Sequence, residues 1–274
     1  EAINLVASEK GETNILAGGT DVLVQLHSDL IEPTLLVDIK NIPEMHVIEE
    51  VKGSYRFGAA VTAIDLVNHS DFGKVWPGIV DGVKLIGSIQ VKGRATVAGN
   101  LCNASPAADS TPPMITADAV ANVFGPRGQR SVPVSEIITG PGQTSLEEGE
   151  IVVSFTLPKP PPRSAGAYLR FTPRTEMDIA VVGAAVNIAL DKEGNCVGAS
   201  VALGAVADRP LSVDDAAAAL IGTKLDEKAM DNLAAAASAA CRPIDDKRGT
   251  KEYRTKVAGV LARRAAAVAK DRVR

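Results

Sequence analysis

Apolar and polar residues change their spacing twice near the start of the chain. A short apolar run from Thr13 to Ala17 is typical of a buried strand, and a similar run extends from Thr34 to Lys40. Between them, Thr20 is a suitable N-cap for a helix that we expect to continue to about Leu30. The pattern therefore predicts a βαβ unit with the Gly18–Gly19 pair at its first strand-to-helix turn.

From about Gly53 onward the apolar runs are short and alternate with polar residues. The segments ADAVANVFG, RSVPV and EIVVSFTLP have the period of two that is typical of strands with one solvated face, so we expect an antiparallel sheet here. Ala63 to Asn68 and Gly78 to Gly87 are interpreted as helices, whereas Ser88 to Thr96 alternates. The stiff run PKPPP, Pro158 to Pro162, is the best candidate for a domain boundary.

After the prolines, two further strand-like runs extend from Ala180 to Leu190 and from Cys196 to Val206. Alanine-rich segments then predict helices, of which the last, up to Arg272, is basic and amphipathic. Such a helix can bind a partner, but a solvated face on a packed helix is the favoured interpretation. We expect three units: an N-terminal lobe over 1–53, a second lobe over 54–160, and a C-terminal domain over 161–274.

Charge and composition exclude several classes of function. The 29 basic and 33 acidic residues give a net charge of −4, which disfavours nucleic acid and anionic lipid as partners. No apolar run is long enough to span a membrane, and the first residues do not form a signal peptide, so a cytoplasmic location is expected. The 3 cysteines and 3 histidines are far apart, which predicts no metal site in this chain.

The stretch AGGTD, Ala17 to Asp21, is the first candidate binding site. Adjacent glycines permit positive φ and the close approach of a ligand to backbone amides, and a following helix favours an anion such as a phosphate. The alternative is a tight turn without a ligand. The chain lacks both the GxGxxG dinucleotide fingerprint and the Gly-Lys-Ser/Thr of a P-loop.

A second glycine region, QVKGRATVAGNLCNASPAAD, extends from Gln90 to Asp109. Here the strand-like ATV continues into Gly99 and Asn100. Thr96, Asn100 and Ser105 are possible hydrogen-bond donors, and Asp109 is a possible acceptor for ribose or ribityl hydroxyls. Two backbone cradles would suit a pyrophosphate, while the alternative is a polar loop that only caps structure.

Six stretches together resemble one known family. They are AGGTDVL, IGSIQVKGRATVAGNL, NASPAAD, EEGEIVVSFTLP, RTEMDIAVVGAAV and DKRGTKEYR, and their order and spacing cover nearly the whole chain. The chain resembles the FAD-binding (medium) subunit of the molybdenum hydroxylases, of the xanthine dehydrogenase and carbon monoxide dehydrogenase type. The resemblance implies an α+β fold, with a two-lobed FAD-binding domain of the vanillyl-alcohol-oxidase type followed by a C-terminal domain of small antiparallel sheet plus helices.

The resemblance also implies the residues that contact FAD. The first glycine turn would wrap the pyrophosphate with Ala17, Gly18, Gly19, Thr20, Asp21 and Val22. Further contacts would come from Ile86, Thr96, Gly99, Asn100, Cys102, Ser105, Asp109, Ile151 and Arg170, with Arg170 near the pyrimidine edge of the flavin. Many relatives have Thr-Ile-Gly-Gly-Asn where this chain has Thr96-Val97-Ala98-Gly99-Asn100, and a Cβ at Ala98 is acceptable only if its φ is negative.

The implied function is electron transfer within a complex. A large molybdopterin subunit would oxidise substrate, a small subunit with [2Fe–2S] clusters would carry the electrons, and FAD in this chain would pass them to NAD⁺, a quinone or dioxygen. A dimer of heterotrimers is expected. Since the redox chemistry belongs to the cofactor, we expect no catalytic side chain. The alternatives are a self-contained flavin oxidase and a non-catalytic partner with a decayed FAD site.

Overall fold

The N-terminal unit is the predicted βαβ arrangement. The computed structural model describes residues 1–273 and begins with a helix, α1 (Ala2–Ser8), that precedes β1 (Thr13–Leu16), α2 (Val22–His27) and β2 (Leu35–Asp38). The two strands pair in parallel, with Thr13 opposite Leu35. The helix begins later than predicted, because Asp21 rather than Thr20 is its N-cap.

A five-stranded antiparallel sheet and six short helices form the second unit, and the first strand of this sheet lies before the predicted lobe boundary at 53/54. β3 (Ile48–Val51) and β4 (Ser54–Gly58) come before six short helices, α3 (Ala63–Asn68), α4 (Phe72–Val75), α5 (Pro77–Lys84), α6 (Ile89–Lys92), α7 (Val97–Cys102) and α8 (Thr111–Thr116). The strands that follow are β5 (Val120–Gly125), β6 (Gly128–Pro133), β7 (Ile138–Gly140), β8 (Gln143–Thr144) and β9 (Ile151–Leu157). Five of them pair in the order β3-β4-β9-β5-β6, and all their pairings are antiparallel, as predicted.

The segment around the second glycine region differs from the sequence prediction. Neither the alternating run Ser88 to Thr96 nor the ATV run is a strand, because α6 and α7 occupy this part of the chain. Each helix begins at a hydroxyl residue that caps it: Ser88 Oγ accepts from Val91 N–H at 3.4 Å, and Thr96 Oγ1 accepts from Gly99 N–H at 2.9 Å. Side-chain capping therefore decides this local structure.

The C-terminal unit contains a four-stranded sheet and three helices. The strands β10 (Ser164–Phe171), β11 (Val182–Leu190), β12 (Cys196–Gly204) and β13 (Leu211–Ser212) are consecutive neighbours in an antiparallel sheet. The helices α9 (Asp214–Ala218), α10 (Glu227–Ala240) and α11 (Lys251–Arg272) follow. The last helix packs its alanine side on the sheet, as expected for a packed helix with a solvated face.

Both faces of the C-terminal sheet are buried. Val182, Ala184 and Val186 of β11 belong to the core shared with α10 and α11, whereas Ala185 points into the core of the N-terminal part. Helices α5 and α8 cover that second face by packing on β10, β11 and β12. This double burial explains why the 180–190 run is almost continuously apolar.

Candidate functional site

The first glycine turn has no room for side chains at its two glycines. A Cβ built on Gly18 would lie 2.2 Å from the backbone oxygen of Arg94, and Gly19 has a φ of +80°. The turn therefore touches the backbone just before Thr96, which brings the two glycine regions together. Only glycine satisfies both requirements, since a side chain would collide at position 18 and would be strained at position 19.

The amides of this turn are available to a ligand. Within the described chain, the backbone N–H groups of Gly19, Thr20, Asp21 and Val22 donate to no other group. Unpaired donors at the start of a helix, where its dipole is positive, form a binding site for an anion. Asp21 reaches solvent but is crowded by protein atoms, and this desolvation raises the pKa of its carboxyl, which disfavours a negative charge beside the turn.

The second glycine region contributes the N-terminal half of α7. Thr96 is buried and uses its hydroxyl oxygen to accept from the Gly99 amide, so that amide is not available for a pyrophosphate. Asn100 accepts from the Ser110 hydroxyl at 2.6 Å with its side-chain oxygen, which leaves its amide N–H groups as the donors for a ligand. Ala98 is helical, and the described chain has no positive φ there, so its methyl group is compatible with this turn.

A cavity of about 430 Å³ lies between the two glycine regions. Its volume is in the range of small-molecule and cofactor sites. Most of the predicted contact residues line it: Ala17, Gly18, Gly19, Thr20, Asp21, Val22, Ile86, Thr96, Gly99, Asn100, Cys102 and Ile151. The structure thus brings together, in one wall, segments that are far apart in sequence.

Other residues of the cavity wall were not indicated by the sequence. They are Thr13, Asn14, Ile15, Gln25, Ile39, Ala95, Ala98, Asn103, Gly142, Leu146, Glu150 and Val152. Gln25 and Asn103 form a polar link at 3.4 Å between α2 and the end of α7. Five of them, Ala95, Ala98, Asn103, Glu150 and Val152, lie in the stretches that carry the family resemblance, although none was singled out there as a cofactor contact.

Three predicted contact residues, Ser105, Asp109 and Arg170, are not in the cavity wall. The Ser105 hydroxyl accepts from the Ala107 amide at 3.2 Å. The buried Asp109 carboxylate accepts from Arg170 Nη1 at 2.5 Å and from the Tyr168 hydroxyl at 2.8 Å. In this structure its oxygens therefore bind protein donors of the C-terminal unit. Arg170 is neither solvent-exposed nor beside the cavity; it is an internal partner of Asp109.

Burial controls the protonation of this internal cluster. Desolvation raises the pKa of Asp109, while the Arg170 charge and the Tyr168 hydrogen bond oppose that rise. Desolvation and the nearby Asp109 carboxylate raise the pKa of Tyr168 well above its usual value, so its hydroxyl remains a donor. The cluster ties the second glycine region to β10.

Cys102 is solvent-exposed as a residue and lines the cavity. Protein atoms nevertheless crowd its thiol, and this desolvation raises the pKa of the thiol to about 12. The neutral thiol is a poor nucleophile and metal ligand. Across residues 1–273 there is no group of three or more His, Cys, Asp or Glu side chains placed to hold a metal ion, and no helix combines the length and apolar character needed to cross a bilayer.

Two family models match the chain. Residues 1–160 match the FAD binding domain in molybdopterin dehydrogenase, and residues 167–269 match the CO dehydrogenase flavoprotein C-terminal domain. Together these matches cover the five-stranded sheet, nearly all of the four-stranded sheet and every residue that lines the cavity.

Similar curated proteins and solved structures have related descriptions. The chain is 34% identical over 256 residues to the xanthine dehydrogenase FAD-binding subunit of Escherichia coli O157:H7, covering 93% of this chain and 87% of that protein. It is 33% identical over 274 residues to the carbon monoxide dehydrogenase medium chain of Afipia carboxidovorans, covering 100% and 94%. A chain in a crystal structure of Cu,Mo-CO dehydrogenase superposes with a TM-score of 0.94 at 34% identity, covering 99% of this chain and 94% of that one.

Proposed function

The chain belongs to the family of FAD-binding subunits of the molybdopterin dehydrogenases, and from this premise we propose that it binds FAD in the cavity between its two glycine regions. It is an oxidoreductase component with an α+β fold. The observation that carries the proposal is the first glycine turn, where Gly18 has no room for a Cβ and consecutive amides are unpaired. These donors match the oxygens of a pyrophosphate.

Each part of the site has a separate role in this proposal. The turn from Gly19 to Val22 binds the pyrophosphate through its amides, and the Asn100 side chain adds donors from the second region. Ile86, Ile151 and Val152 supply apolar wall, which excludes water from a bound cofactor. FAD supplies the redox chemistry, since a flavin exchanges electrons singly or in pairs. We propose no catalytic side chain in this chain.

Electron transfer requires partners, which we propose by chemical class. A small subunit with [2Fe–2S] clusters delivers electrons and a large molybdopterin subunit oxidises substrate, in a dimer of heterotrimers located in the cytoplasm. The names of curated relatives support a complex of several subunits, because they describe a subunit of xanthine dehydrogenase and a medium chain of carbon monoxide dehydrogenase. The external acceptor is NAD⁺, a quinone or dioxygen.

The direct test is the visible absorption spectrum of the purified full chain, with acid release and chromatography of the bound flavin. We expect one FAD per chain, either as purified or after incubation with FAD. A chain that stays colourless both alone and when copurified with its partners would support the non-catalytic alternative. Substrate turnover by the flavin-loaded chain without partners would instead support a self-contained oxidase.

A further inference from the structure

An ion pair joins Glu150, which lines the cavity next to Ile151 and Val152, to Arg130, which does not line it. Arg130, on β6, donates from Nε to Glu150 Oε1 at 2.7 Å and from Nη2 to Glu150 Oε2 at 2.6 Å. Two guanidinium nitrogens thus each bind one of the two carboxylate oxygens, which is the strong bidentate geometry. The Glu150 side chain is only 8% exposed, whereas that of Arg130 is 37% exposed.

The same two side chains hold the loop that precedes β9. Arg130 Nη2 also donates to the Ser145 backbone oxygen at 3.1 Å, and the Glu147 amide donates to Glu150 Oε2 at 2.7 Å. The loop from Ser145 to Glu150 is therefore closed by hydrogen bonds to one guanidinium and one carboxylate. Leu146, inside this loop, also lines the cavity.

The charge of Glu150 is otherwise unfavourable in this position. A carboxylate in the wall of a site for a doubly charged pyrophosphate repels its ligand unless a cation neutralises it. The Arg130 hydrogen bonds and charge lower the pKa of Glu150, so the pair stays ionised and its two charges cancel near neutral pH.

We propose that Arg130 is a positioning residue for cofactor binding: it holds the Ser145–Glu150 loop as cavity wall and neutralises Glu150 there. This inference rests on the proposed function, because it presumes that the cavity binds FAD. Arg130 itself is not in the cavity wall, so its effect on FAD acts through Glu150 and the loop.

The test compares FAD affinity of the full chain and its variants by fluorescence titration. R130Q is expected to weaken FAD binding about tenfold or more. R127Q is the matched control, because Arg127 is on the same β5–β6 hairpin and pairs with Glu147 of the same loop, but its side chain is 77% exposed. We expect R127Q to bind FAD like the unchanged chain, since exposed pairs contribute little.

Two further variants separate charge from folding. The double variant R130Q/E150Q should regain part of the lost affinity, because it removes the unpaired carboxylate; a general loss of structure would not be repaired in this way. R130K keeps the charge without the bidentate geometry, and we expect an intermediate affinity. R130Q could lower the thermal midpoint of the apoprotein too far for titration. In that case the FAD affinities of R130K and R127Q are compared, and a weaker affinity of R130K shows that Arg130 supports FAD binding.

The possible failures are distinguishable. If the unchanged chain binds no FAD, either alone or when copurified with its partners, the proposed function is overturned together with this inference. If the unchanged chain binds FAD and R130Q, or R130K where it replaces R130Q, binds it as well as R127Q does, the inference alone is overturned. A double variant that binds no better than R130Q would contradict the neutralising role of Arg130.

Discussion

At Gly18 a single methyl group would meet the backbone of another segment. Because its Cβ would lie 2.2 Å from Arg94 O, and backbone atoms move little, we expect Gly18→Ala to shift the first turn away from the second region. The change should destabilise the chain by about 1–3 kcal/mol and weaken FAD binding at least about tenfold. Thermal unfolding of the apoprotein and flavin titration measure the two effects.

Gly93→Ala is the control for that substitution. Gly93 is solvent-exposed, has a φ of −64°, and a Cβ there would have its nearest neighbour at 3.4 Å. We expect its stability to stay within about 0.5 kcal/mol of the unchanged chain. Equal FAD affinity in the two variants would show that the close approach at Gly18 is unimportant.

Arg170 is the residue whose loss should make stability depend more strongly on pH. Arg170→Met removes the charge that opposes desolvation of Asp109, so the folded-state pKa of Asp109 rises further above its unfolded value. A raised folded pKa means that stability is lost as pH rises through it. The variant should therefore be destabilised by about 3 kcal/mol at pH 7 and by less at pH 5.

Urea unfolding at the two pH values measures this difference. Arg174→Met is the control, because the Arg174 side chain is 71% exposed and its pair with Asp178 should contribute little. If Arg170→Met were equally destabilised at both pH values, lost packing rather than the charge of Asp109 would explain the effect.

At the scale of elements, capping at Thr96 sets the orientation of α7 against the cavity. Thr96→Ala removes the hydroxyl that accepts from Gly99 N–H, which should cost about 1 kcal/mol of stability and weaken FAD binding. Thr250→Ala removes a similar cap on α11, where Thr250 accepts from Tyr253 N–H at 3.1 Å, and should cost as much stability without a change in FAD affinity. Thr96→Ser should restore both properties.

The sequence predicts the elements that have a clear apolar period and misses those that depend on hydroxyl caps. The βαβ unit was predictable, because the apolar runs at Thr13 and Thr34 have strand length and a helical pattern between them. The alternation from Ser88 onward was misleading, since helices α6 and α7 are each so short that an apolar period of 3.6 cannot develop. Hydroxyl caps, which are common in turns as well, decide these helices and are ambiguous in a sequence.

Some residues of the cavity wall were predictable from local sequence, whereas others are placed there only by tertiary packing. The glycine turn contacts came from the resemblance to a family and lie on the wall, whereas Gly142 and Leu146 lie outside every stretch that carries the resemblance. Asp109 and Arg170 were expected at FAD, but the pairing between them depends on the packing of β10 against α8. A sequence does not display pairings across such distances.

At the scale of the whole molecule, the two parts of the chain share a buried interface. Helices α5 and α8 cover one face of the C-terminal sheet, so that face is exposed to water unless both parts are folded. Exposing a large apolar face is strongly unfavourable. We therefore expect the holoprotein to unfold in one transition, with flavin fluorescence and far-UV circular dichroism changing together.

Arg272, at the end of α11, forms an ion pair with Asp81 across this interface. Its guanidinium donates to Asp81 Oδ2 at 2.5 Å and Oδ1 at 3.1 Å, and to the Gly166 backbone oxygen at 2.9 Å. Asp81, on α5, also accepts from the Tyr168 amide at 3.2 Å. Arg272 lies beyond residues 167–269 matched by the C-terminal family model, so the contact is outside what that match describes.

Because charge-assisted bidentate bonds are stronger than exposed pairs, Arg272→Gln should lower the free energy of unfolding by about 2 kcal/mol. Asp81→Asn should have a similar effect, and the double variant should lose less than the two single losses added together. Arg263→Gln is the control on the same helix, since Arg263 pairs with Glu227 and Asp231 on α10 within the C-terminal unit. In Arg272→Gln, flavin fluorescence and far-UV circular dichroism could change in separate unfolding transitions. If they do so there but not in Arg263→Gln, the Arg272–Asp81 contact couples the unfolding of the C-terminal unit to that of the rest of the chain. The apolar interface would then be insufficient by itself.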